Sequence, residues 1–158
     1  MSILILTHGN LGNELLTAAR TIAGDLPDSA ALCLDWDDPP EQAEEKLRAT
    51  LSHLADQATE NGGGERGGVL ILTDLYGSTP TNAALKFLDP GHIEVLTGVN
   101  LPMVMRLGCA HRRDMEVGEL ARWLQQKGRE SLCVASDRTA RRPPSDLATN
   151  PCVEEENG

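Results

Sequence analysis

The sequence predicts an α/β fold: a doubly wound, mainly parallel sheet with helices on both faces. Three observations carry that expectation. Apolar runs of strand length recur along the chain, each is followed by Gly, Asp or Pro, and amphipathic helical patterns fill the intervals. Alternation of this kind favours a parallel sheet joined by right-handed crossovers. The runs are continuous rather than alternating, as expected of strands buried on both faces.

Taken in order, the first strand is read at Ile3–Leu6, followed by a helix over Asn10–Ala23 whose stripe is Leu11, Leu15, Ala18, Ala19 and Ile22. The second strand is Ala30–Leu34. After it Asp38-Pro39-Pro40 offers an N-cap and prolines tolerated in a first turn, so a helix is expected over Glu41–Ala58, with Ala43, Leu47, Leu51 and Leu54 on one face. The stretch Asn61–Gly68 reads as a flexible connection. The third strand is Gly68–Thr73, its helix starts near Thr79-Pro80 and runs through Leu88, and the fourth strand is Ile93–Leu96. A fourth helix is expected over Asp114–Gln126 with Gly128 as its stop, and Leu132–Ala135 reads as a fifth strand. From Ser136 onward the chain turns to Arg, Pro, Ser and Glu without apolar periodicity, so one domain is expected over 1–135 and a disordered tail over 136–158.

Composition narrows the function. With 158 residues and 40% hydrophobic content the chain suffices for one packed domain, while 3% aromatics and a net charge of −10 speak against nucleic acid as a partner. No run reaches the 18 or so apolar residues of a membrane span, and the start MSILILTHGN lacks the basic region of a signal peptide. Cys33, Cys109, Cys133 and Cys152 show neither close pairing nor metal-ligand spacing, and Cys33 and Cys133 sit in apolar runs as small hydrophobes do. A cytoplasmic protein with no metal and no cofactor is the expectation.

Ligands of such sheets bind beyond the carboxyl ends of the strands. Three segments fall there: Thr7-His8-Gly9-Asn10, Asp74-Leu75-Tyr76-Gly77-Ser78-Thr79-Pro80, and Thr97-Gly98-Val99-Asn100-Leu101-Pro102. His8 is the candidate nucleophile, since a neutral imidazole attacks well near physiological pH. Gly9 removes bulk beside it, and the following helix start offers N–H groups to an anion. Asp74 ends a wholly apolar run, where a carboxylate could hold one imidazole nitrogen and leave the other free. Gly77, Ser78 and Thr79 supply backbone freedom and hydroxyls for a phosphate. No lysine follows the glycine as a P-loop requires, and no GxSxG elbow is present. His53, His92 and His111 read as solvated or structural.

Together, ThrHisGly after the first strand, AspLeuTyrGlySerThrProThrAsnAlaAla after the third and GlyValAsnLeuProMet after the fourth resemble the enzyme IIA domain of the mannose family of the bacterial phosphoenolpyruvate-dependent sugar phosphotransferase system. The resemblance covers roughly residues 1–135. It implies a phosphotransferase working through a phosphohistidine: His8 accepts a phosphoryl group from HPr and donates it to a IIB protein, with Asp74 orienting the ring. Thr79 matches a loop serine near the phosphate, and Tyr76 stands where the family has a tryptophan. The membrane is reached only indirectly, through a permease complex. The resemblance also implies a homodimer that exchanges an antiparallel edge strand near the C-terminus, for which Leu132–Ala135 is the candidate. Alternatives are a stand-alone regulatory relative whose phosphorylation state controls a partner, the phosphoryl-donor subunit of dihydroxyacetone kinase, and a generic small-molecule-binding α/β domain.

Overall fold

In a computed structural model, which describes residues 1–60, 68–109 and 115–139, the elements run β1 Ser2–His8, α1 Leu11–Ala23, β2 Ser29–Leu34, α2 Pro40–Glu60, β3 Val69–Thr73, α3 Thr79–Leu85, β4 Ile93–Thr97, α4 Leu101–Met105, α5 Val117–Glu130 and α6 Ala135–Thr139. A 3₁₀ turn over Arg106–Gly108 follows α4. The strands form one all-parallel sheet in the order β2-β1-β3-β4.

Strand side chains alternate between two cores, so each continuous apolar run serves both faces at once. Ile3, Ile5, Leu70, Leu72 and Leu96 pack with Leu16 and Ala19 of α1, Met103 and Val104 of α4, and Leu120 and Leu124 of α5. Leu4, Leu6, Leu34, Val69 and Ile71 pack on the other side with Ala43, Leu47 and Leu54 of α2 and with Ala83 and Ala84 of α3. The doubly wound expectation therefore holds. The chain leaves β1 toward one face and β3 toward the other, although β1 and β3 are neighbours. Their carboxyl ends are therefore the switch point where such sheets take ligands.

Several expectations need correction. Leu132–Ala135 forms no strand in this chain: Leu132 and Val134 lie in an irregular segment and Ala135 opens α6. The sheet of this chain has four strands, and none is formed by this run. The tail expected from Ser136 thus begins inside α6, and residues 140–158 lie outside the described residues. Gly128 does not stop α5, which continues to Glu130. A Cβ at that position would stand 2.7 Å from Met103 Sδ, so the glycine serves the approach of α5 to α4. The segment after β4, read as loop, contains α4, capped by the Asn100 side chain accepting from Met103 N–H at 3.1 Å. The helix after Thr79-Pro80 ends at Leu85, short of Leu88.

The cysteines also depart from expectation. Cys33 is half-buried, Cys133 is exposed, and Cys109 is buried and disulfide-bonded, so spacing alone misjudged that residue. The connection at 61–67, His111 and Asp114 lie outside the described residues. Among the described residues no helix is long and apolar enough to cross a membrane.

Candidate active site

Register builds the site. Leu6 of β1 pairs with Thr73 of β3, so His8, two residues on, stands beside Asp74, one residue on. His8 Nδ1 lies 2.8 Å from Asp74 Oδ2, and the His8 backbone N–H donates to the same oxygen at 2.8 Å. The two side chains are 15% and 13% exposed, half-sheltered rather than surface groups. Asp74 Oδ1 accepts from Leu75 N–H at 2.7 Å.

These bonds decide the protonation state. Burial works to raise the Asp74 carboxyl, but hydrogen bonds from the His8 N–H, the His8 ring and the Leu75 N–H outweigh it and hold the group below the usual carboxylate range. At neutral pH Asp74 is therefore ionised and can only accept. The proton of a neutral His8 must then sit on Nδ1, which leaves the Nε2 lone pair free for attack.

The strand-three loop is held by hydroxyls. The Leu75 carbonyl accepts from Ser78 Oγ and Thr81 Oγ1, each at 2.6 Å, and Thr73 Oγ1 lies 2.8 Å from Thr81 Oγ1. Ser78 N–H also closes on Leu75 O at 3.3 Å, across a turn whose third residue is Gly77 at φ +82°. That positive φ is the reason for glycine in a type II turn. The Ser78 proton is thus committed to Leu75 O, and its 3.4 Å approach to Asp74 Oδ1 is secondary. The Thr79 hydroxyl makes no hydrogen bond to the described residues, and neither do the Tyr76 and Gly77 N–H groups. These donors are open to an anion.

Gly9 is differently placed. Its N–H already donates to Leu34 O at 2.8 Å. It has φ +53°, and a Cβ there would come within 3.2 Å of Trp36 Nε1. The α1 start is tied to the same strand end, where Gly12 N–H donates to the buried Thr7 Oγ1 at 2.8 Å.

Trp36 is the residue that sequence reasoning missed. Its ring stacks on the His8 imidazole with centroids 4.6 Å apart and planes 10° from parallel. Trp36 lies two residues beyond β2, on the same edge of the sheet as the three motif-bearing strand ends. A tryptophan in a chain with two, placed at a strand end, was the available signal. The other motif, Gly98 to Pro102, supplies the cap of α4 but, among the described residues, no side-chain hydrogen bond to His8 or Asp74. His92 faces Asp89 at 3.6 Å on the surface, away from this site. Among the described residues no cluster of three His, Cys, Asp or Glu stands together that could hold a metal.

The chain is similar to several known proteins. The family model of the PTS system fructose IIA component (EIIA-man) matches residues 2–125. The PTS system mannose-specific EIIAB component of Escherichia coli strain K12 is 33% identical over 135 residues, which is 84% of this chain but 38% of that protein. The chain thus spans well under half of that relative. The PTS system fructose-specific EIIA component of Bacillus subtilis is 24% identical over 87% of this chain and 88% of its own length. Among solved structures, the mannose/sorbose specific IIA subunit from Enterococcus faecalis superposes with a TM-score of 0.69 at 26% identity, covering 84% of this chain and 92% of its own. With a matching family model over most of the chain and its motifs meeting at one sheet edge, the protein belongs to the mannose-type IIA family of the sugar phosphotransferase system.

Proposed function

We propose that this chain is a phosphocarrier that accepts a phosphoryl group from HPr on His8 Nε2 and donates it to a IIB protein in sugar uptake. The observation that carries the reading is the 2.8 Å bond between His8 Nδ1 and Asp74 Oδ2 at the switch point, which leaves Nε2 as the free nitrogen. Family membership supplies the phosphotransferase system as its setting.

The step needs positioning and charge stabilisation rather than acid–base chemistry. The Nε2 lone pair forms the new P–N bond as the bond between phosphorus and the donor imidazole breaks, and the donor keeps that electron pair. Asp74 holds the Nδ1 proton throughout, so His8 carries a formally cationic ring next to a carboxylate. The Thr79 hydroxyl and the Tyr76 and Gly77 N–H groups are the donors for the phosphoryl oxygens. Leu75 and Tyr76, both exposed beside the site, give a protein partner an apolar landing. In this reading the chain works in the cytoplasm, where HPr reaches it, and touches the membrane only through its permease. Assembly as a homodimer through the segment after α5 belongs to the same proposal.

The test is incubation of the full chain with phosphoenolpyruvate, enzyme I and HPr, followed by mass spectrometry of the intact protein. One acid-labile phosphate is expected in the parent and none in His8→Ala. Labelling that persists in His8→Ala overturns the assignment.

A further inference from the structure

The Asp74 bond restrains one edge of the imidazole, but a ring held by one nitrogen can still swing about that contact. Trp36 supplies a restraint of another kind, a nearly parallel face 4.6 Å away. The loop bearing it is itself fixed. Asp38, 6% exposed at its side chain, accepts from Asp35 N–H at 2.9 Å and from Lys46 Nζ at 2.7 Å, and Asp38 N–H returns to Asp35 O at 3.2 Å. Gly9 leaves the space that the indole edge occupies. A tryptophan that is 80% exposed adds little to the core, so this arrangement is not explained by folding.

We propose that Trp36 is a positioning residue for phosphoryl transfer: its indole fixes the plane of His8 and stabilises the ring in its phosphorylated, cationic form. The inference rests on the phosphocarrier reading and adds a residue to it. Aromatic stacking fixes ring geometry, and the electron-rich indole face attracts a cation more strongly than it attracts a neutral ring. Phosphorylation creates that cation, because phosphorus joins Nε2 while the proton stays on Nδ1. Trp36 therefore favours the product of transfer over the free imidazole.

The experiment measures the equilibrium of phosphoryl exchange between phospho-HPr and the full chain, using free species only. Docking strength alters the rate in both directions equally and leaves this equilibrium alone, so a residue that merely receives the partner would not move it. Trp36→Leu is expected to lower the ratio of phosphorylated to free His8 by about two- to fivefold, and Trp36→Phe by less. In NMR spectra the His8 ring protons should lose an upfield ring-current displacement in Trp36→Leu and keep part of it in Trp36→Phe. Circular dichroism of both variants checks that the fold is intact. An equilibrium in Trp36→Leu equal to that of the parent overturns the proposal, whatever happens to the forward rate. A parent chain that takes up no phosphate overturns the phosphocarrier reading as well, so the two failures are told apart.

Discussion

The site at the carboxyl edge of the sheet and the segment after α5 both carry exposed apolar side chains, but they differ in what surrounds them. Trp36 lies against His8, whose imidazole is bonded to Asp74, whose carboxylate in turn is held by two backbone N–H groups. Leu132 and Val134, 77% and 64% exposed, join neither of the two cores. An exposed apolar residue points to chemistry where directed hydrogen bonds converge beneath it. Elsewhere it is surface, which the proposed homodimer would cover here.

The sharpest way to separate the two regions is Asp74→Asn. A neutral amide can donate to Nδ1, which allows the tautomer with the proton on Nε2, and that nitrogen can no longer attack. Phosphorylation of His8 from HPr should slow by about 10³- to 10⁴-fold, as for a triad carboxylate replaced by its amide. Rapid-quench measurement of single-turnover transfer checks it. A loss below tenfold would leave Asp74 as a turn residue and dissolve the contrast.

Next in size is Gly128→Ala, which tests the packing beneath the C-terminal segment. The new methyl would stand 2.7 Å from Met103 Sδ and 2.9 Å from its Cγ. Overpacking costs about 1–3 kcal/mol, offset by about 1 kcal/mol of helix propensity gained over glycine. A net loss of about 1 kcal/mol is expected, roughly 3 °C in Tm, with phosphate uptake at His8 unchanged. Thermal melts and the mass assay read the two halves of that statement.

A smaller effect on the monomer is expected from Leu132→Ser combined with Val134→Ser. Both side chains are largely exposed, so monomer stability should stay within about 0.5 kcal/mol of the parent. Self-association, read as molar mass by light scattering, should weaken. A parent that is monomeric at working concentration would contradict the proposed dimer.

The contrast also marks what the amino-acid pattern could express. His8 and Asp74 were legible because each follows an apolar run, and parallel register does the rest. The two cores were legible for the same reason. Trp36 was not, since its contact depends on how β2 ends beside β1 and on the space left by Gly9, neither of which is a periodic signal. Gly128 looked like a helix stop because a glycine near a helix end usually is one; its actual reason is a side chain on another helix. Asn100-Leu101-Pro102 did hold a legible signal, a capping residue with proline just inside, which was read as loop because the helix has only five residues. Leu132–Ala135 was read as strand from composition, and composition does not say which chain would pair with it.

The last prediction concerns two carboxylates, one from each region. Asp74 lies below its ordinary range although burial works against it, because fixed N–H groups of His8 and Leu75 and the His8 ring bond to it. Glu130, near the end of α5, is also lowered, first by the Gln126 amide at 2.8 Å, with burial opposing and Lys127 adding a hydrogen bond and charge from 3.4 Å. Both are lowered in the folded state, so each stabilises the fold above the unfolded carboxylate value, and that contribution is lost as pH falls through the folded value. They part in their response to salt. At 1 M the screening length is about 3 Å, which weakens the Lys127–Glu130 pair, 19% and 51% exposed, more than the backbone hydrogen bonds and the shorter, more sheltered His8–Asp74 pair. Carboxyl ¹³C titrations at low and high salt should therefore show Glu130 moving part of the way back toward its ordinary value while Asp74 stays. The stability gap between the parent and Asp74→Asn should likewise close below about pH 4, with little dependence on salt. An Asp74 titration that follows salt as Glu130 does would mean that charge, rather than the backbone geometry of the site, holds the carboxylate that orients His8.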